Sequence, residues 1–181
     1  MALEDGETYE GLRLVGQSLA GSRLRAADLR DCHFTDCDLS NGEWERCRLD
    51  EVVFERCRLT GFRLAQGRGV DVAFTGCLGR YLQLDRCRLE AVRFEFCQLT
   101  ESGFMQCELV RARFVECDLA GAVLSGSRLR GADLRGSHTG GIRASLDDLA
   151  GTILDPEQAA AVLRGEADIR VVPIGVDVEP G

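Results

Sequence analysis

From Cys32 to Leu119 a large apolar residue recurs at every fifth position, with polar residues between. The centres read Phe34, Leu39, Trp44, Leu49, Phe54, Leu59 and Leu64, then Gly69, Phe74 and Gly79, and again Leu84 through Leu119. Two residues before the first of these centres stand small or thin side chains: Cys32, Cys37, Gly42, Cys47, Val52 and Cys57. A second period overlies the first, because Phe34, Phe54, Phe74, Phe94 and Phe114 recur every twenty residues. A five-residue period fits neither a helix at 3.6 nor a flat strand at 2. A chain that turns a corner every five residues closes a square after twenty.

Frames of five run from Leu12 through Gly151 without insertion or deletion, which makes 28 frames, or seven turns of four. Glycine closes many of them, as at Gly16, Gly61, Gly121 and Gly131. It suits corners because it accepts positive φ without steric cost. Turns stacked about 4.8 Å apart would form a rod roughly 34 Å long. No coil can bury its own centres alone, so neighbours must complete the core.

The repeated pattern A-[DN]-L-x-x, cleanest at Ala27-Asp28-Leu29 and Ala132-Asp133-Leu134, resembles the pentapeptide-repeat family. That resemblance implies an all-β fold: a right-handed quadrilateral β-helix of about seven coils, with the central Leu or Phe pointing inward. The expected organisation is an acidic lead-in over 1–11, the β-helix over 12–154, and a C-terminal capping and dimerisation segment over 155–181.

After Leu154 the pattern stops. Asp155-Pro156-Glu157 reads as a helix start, with Asp as cap and Pro at the first helical position. Gln158 to Arg164 continue the helix and Gly165 ends it. Covering the open end of the rod is its expected role. The apolar residues Ala160, Val162, Leu163, Ile169, Val171 and Val172 are the expected interface of a homodimer joined through the C-terminal segment.

Gly69 and Gly79 are the flaw in the repeat. The coil holding them is either repacked locally or opened as a kink or groove. In either case Val70 and Leu78, one residue off register, are candidates to turn inward.

Composition changes the picture in two places. All nine cysteines share one phase of the repeat, where Ala112, Ala122 and Ser127 appear later, so they read as reduced, packed fillers. CxxC pairs are missing, which argues against zinc. In-register parallel thiols seldom meet disulfide torsions. The net charge of −8 lies in the tails: residues 11–146 hold 18 acids and 20 arginines. There is no apolar run of membrane length and no signal-peptide pattern at the N-terminus, so a cytoplasmic location is expected.

Catalysis finds little footing. His33 and His138 lie five coils apart, roughly 25 Å at 4.8 Å per coil, and no nucleotide, metallopeptidase or hydrolase motif occurs. No cofactor or metal is expected, and direct nucleic-acid binding suits an acidic chain poorly. The expected role is protein binding through a rigid charged surface. The family resemblance implies a DNA-mimicking partner of DNA gyrase or another type II topoisomerase that protects against quinolone drugs. The alternative is a general cytoplasmic interaction scaffold. A DNA mimic needs carboxylate rows, and one segment has an acidic excess: Asp28, Asp31, Asp36, Asp38, Glu43, Glu45, Asp50, Glu51 and Glu55 against four arginines. That segment is the expected contact for a basic partner.

Overall fold

A five-residue apolar period yields three-residue strands in which one buried centre stands between two outward residues. Arg23–Arg25, Arg48–Asp50 and Arg93–Glu95 are examples. So short a strand cannot persist alone; it is held by the strands twenty residues before and after it. In the computed structural model, which describes residues 3–166, these strands build a parallel β-solenoid of about five turns. The first sheet orders Thr8–Glu10, Asp28–Arg30, Arg48–Asp50, Arg68–Val70 and Arg88–Glu90. The second has six strands from Arg13–Val15 to Arg113–Val115, and the third five from Arg23–Arg25 to Gly103–Met105. A fourth ladder consists of single bridges, from Ser18↔Asp38 through Leu78↔Gln98 to Asp118↔His138.

Corner residues are forced into the left-handed region whether or not they are glycine. Asn41, Arg46 and Glu51 adopt φ of 55°, 55° and 54°, much as Gly61 does at 67°. The twenty-residue hydrogen-bond ladder therefore imposes the corner, and residue preference follows it.

The core confirms the inward centres. Phe34, Phe54, Phe74, Phe94 and Phe114 are buried and stack, with centroids 4.7–5.0 Å apart and near-parallel planes. Trp44 meets Phe34 and Phe62 edge-on at 5.9 and 5.3 Å. All nine cysteines are free and buried. They are more than fillers, because each thiol approaches a backbone carbonyl of the coil below. Cys57 donates to Phe34 O at 3.2 Å and Cys97 to Phe74 O at 3.3 Å. Ser127 and Ser137 take the same phase and the same bond, to Phe104 O at 2.5 Å and Phe114 O at 3.0 Å. That phase therefore selects a small side chain that can also donate. Burial pushes the Cys32, Cys37 and Cys47 thiols up from their ordinary pKa.

The glycine coil departs from expectation. Val70 and Leu78 do not turn inward; they are 44% and 45% exposed. Register is kept instead, with Gly69 paired to Leu49 and Leu89. Volume is recovered from the normally small phase, where Phe62, Val72 and Leu82 are all buried. At Gly69 a methyl group would lie 2.0 Å from the Leu49 carbonyl oxygen, so backbone meets backbone there. At Gly79 it would meet the movable Leu99 Cδ2 at 2.8 Å.

Both ends differ from the plain repeat. The strand ladder begins at Thr8, within the segment read as a lead-in, and Leu3 and Tyr9 pack on the core. Glu4 N–H donates to the Tyr9 hydroxyl at 2.8 Å. Near the other end the five-residue frame is interrupted. Leu149 N–H bonds Ser145 O and Ala150 N–H bonds Asp147 O, a helical turn in place of an extended side. The final helix spans Pro156–Glu166, so Gly165 does not stop it. Asp155 Oδ1 accepts from Gln158 N–H at 2.9 Å, while Gln158 Oε1 accepts from Asp155 N–H at 3.0 Å. This reciprocal capping box fixes the helix start. The Gln158 amide also donates to Leu134 O and Ser137 O, each at 2.7 Å, tying the helix to the last regular coil.

Two outcomes test this packing. Gly69→Ala should lower stability by about 2 kcal/mol or more, and Gly79→Ala by clearly less, because a side chain yields where a carbonyl does not; chemical denaturation reads both. Equal losses would contradict the backbone contact at Gly69. A thiol reagent should find at most about one reactive cysteine in the native protein and nine after denaturation. Several fast-reacting native thiols would contradict the closed core.

Candidate functional site

A core filled by Phe, Leu and Cys leaves the chemistry to the outer ladders. Among the described residues no group of His, Cys, Asp and Glu is arranged to hold a metal. His33 lies in the second sheet and His138 on the fourth ladder, consistent with their separation in the repeat. No helix among the described residues is long and apolar enough to cross a membrane.

The nine carboxylates of the acidic segment encircle the rod. Asp28 and Asp50 belong to the first sheet, Glu55 to the second, Glu43 and Glu45 to the third, and Asp38 to the fourth ladder. Asp31, Asp36 and Glu51 occupy corners with positive φ. Eight of the nine sit within ion-pair distance of an arginine, and several of those arginines belong to the neighbouring coil. Arg13 bonds Asp31 at 3.0 Å, Arg23 approaches Glu43 at 3.7 Å, Arg25 approaches Glu45 at 3.4 Å, and Arg58 reaches Asp38 at 3.7 Å. Arg56 holds Asp36 at 2.9 Å and also pairs with Glu55. Arg30 and Arg48 pair within their own frames, with Asp28 at 2.5 Å and Asp50 at 2.6 Å. Glu51 alone has no such partner among the described residues. Exposed pairs of this kind contribute about 0–1 kcal/mol each, so their main effect is to neutralise the surface.

The Arg56 guanidinium keeps the Asp36 carboxyl below its ordinary pKa. Ser40 does the same for Asp38, with its N–H donating to Asp38 Oδ1 at 2.9 Å. Depressed carboxylates stabilise the fold above their unfolded pKa, and that contribution is lost as pH falls through the folded value.

Of the residues read as a dimer face, Val162 packs against the protein's own core, and Ala160 and Leu163 are half-buried. Ile169, Val171 and Val172 lie outside the described residues.

One surface feature went beyond the acidic segment. A groove of about 710 Å³ opens on the first sheet, over Gly69. Its floor reaches Cys47 and Leu89, and its walls carry Arg48, Arg68, Arg88, Val70 and Val110. Arg48, Arg68 and Arg88 are consecutive rungs in register. The missing centre side chain at Gly69 was its signal in the sequence. The three arginines become a column only when residues twenty apart are stacked.

No curated protein matches the chain. Among solved structures it is similar to full-length QnrB1, a plasmid-mediated fluoroquinolone resistance protein. Identity is 18%, over 87% of this chain and 98% of that one, with a TM-score of 0.40. It is also similar to HetL, a pentapeptide repeat protein involved in heterocyst differentiation regulation from the cyanobacterium Nostoc sp. strain PCC 7120. There identity is 18%, coverage 84% and 91%, and the TM-score 0.36. Rfr23, a pentapeptide repeat protein from the cyanobacterium Cyanothece 51142, is 17% identical at coverage 84% and 91%, with a TM-score of 0.26. The family model for the pentapeptide repeat region matches residues 27–104 and 47–124, together more than half of the sequence. The chain belongs to the pentapeptide repeat family.

Proposed function

We propose that this protein is a non-catalytic binding module whose partner is DNA gyrase or another type II topoisomerase, which it protects from quinolone-type drugs. The observation that carries the binding role is the filled core: stacked Phe, Leu and Cys occupy the interior. What can act on another molecule is therefore the regular outer surface, as in other solenoids. The topoisomerase is supported by family membership alone, through the branch whose rods imitate B-form DNA. In this reading the repeat region over 12–154 forms seven coils of a right-handed quadrilateral helix. Bridges that continue from Arg113 through Asp133 to Ile153 support that length. The protein works in the cytoplasm as a homodimer joined through residues 155–181, with the coils carrying Asp28 to Glu55 against the basic partner. A general interaction scaffold is the alternative, and it has no stake in gyrase.

A supercoiling assay with gyrase, with and without a fluoroquinolone, separates the two. Inhibition or drug protection at micromolar protein is expected; neither effect, together with no pull-down, would leave only the scaffold. The contact itself is tested by Glu51→Arg and by joint Lys substitution of Glu43, Glu45, Asp50 and Glu55, with circular dichroism checking the fold. Each should weaken binding at least about tenfold, and unchanged affinity would place the contact elsewhere. Light scattering at tens of micromolar should give the mass of two chains. A single-chain mass would refute the dimer.

A further inference from the structure

We infer that the groove over Gly69 is a binding site for a small amphipathic carboxylate, a molecule with one carboxylate head and a compact apolar body. This goes beyond the topoisomerase reading and does not depend on it.

The head is assigned by Arg68. In the first sheet the local pattern is arginine, centre, acid: Arg48-Leu49-Asp50 and Arg88-Leu89-Glu90. In the rung between them the third residue is Val70, and among the described residues Arg68, unlike Arg48 and Arg88, has no carboxylate within ion-pair distance. Its neighbours are already engaged. Arg48 bonds Asp50 at 2.6 Å, Arg88 faces Glu108 at 3.6 Å, and Glu90 is taken by Arg111. Three arginines on successive rungs repel one another, since like charges directly opposite in a sheet are destabilising. An oxyanion at Arg68 relieves that repulsion, and the planar guanidinium fork fits a carboxylate in a bidentate manner.

The body is assigned by the walls and floor. Val70 and Val110 line the groove, 44% and 37% exposed. Gly69 contributes no side chain to its floor, where Leu89 lies. A volume of about 710 Å³ is in the range of small-molecule sites. Asp50, Glu90 and Glu108 also line the groove, but each is paired with an arginine. The valines beside the one unengaged cation describe an amphipathic anion better than inorganic phosphate, which would leave them unused.

The test titrates the full-length, isotope-labelled protein with 4-phenylbutyrate and follows backbone amide shifts. Controls are 4-phenylbutanamide, which lacks the charge, and inorganic phosphate, which lacks the body. Saturable shifts centred on residues 66–70, 88–90 and 108–110 are expected, with a dissociation constant of about 1 mM or tighter. Either control should bind at least tenfold more weakly. Arg68→Gln should weaken binding at least tenfold. Val70→Glu gives Arg68 the acid its neighbours have, so it should abolish binding. Both substitutions are on the surface, so the fold should persist. The inference is overturned if no saturable shift appears by 10 mM, if either control binds as well as 4-phenylbutyrate, or if Arg68→Gln or Val70→Glu binds like the parent.

Discussion

Everything in this protein depends on parallel pairing at a twenty-residue offset. Each strand is only three residues long, too short to be stable alone, and its partners are fixed by the coils on either side. The offset puts like residues over like residues. For phenylalanine this produces a stack of nearly parallel rings. For cysteine and serine it brings a donor to a carbonyl of the coil below at regular intervals. The same rule applied to charges would stack repulsions, and at several outer rungs it is broken by alternation, as where Arg23 lies over Glu43.

The periodicity made the solenoid and its inward centres legible from the residues alone. Less legible was how the flawed coil repairs itself. Reading along the chain, Gly69 and Gly79 are missing centres, and Val70 and Leu78 are the nearest apolar replacements. Volume is in fact supplied by Phe62, Val72 and Leu82 on the other inward phase. A one-residue slip would break ladder hydrogen bonds on both sides of the strand, whereas exchanging large and small side chains between two inward phases breaks none. The helix start at Asp155 was readable from its capping residues. Its anchoring by Gln158 to Leu134 and Ser137 was not, because the Ser137 carbonyl loses its next-coil partner only where the regular coils end.

Surface charge shows the same limit. Counted along residues 28–57 the acids outnumber the arginines, yet Arg13, Arg23, Arg25 and Arg58 approach them from outside that window. Neutralisation here works between coils, so linear charge overstates the acidity a partner meets. The basic column of Arg48, Arg68 and Arg88 was hidden for the same reason. Its members are far apart in sequence and adjacent in space. Candidate surfaces on such a rod are best read down the columns.

The central claim is that the ladder runs unbroken through the glycine coil, with volume restored from the second inward phase. Amide hydrogen exchange over residues 65–85 tests it most directly. Protection equal to that of the coils on either side is the predicted result. A local minimum of protection confined to residues 65–85 would contradict it.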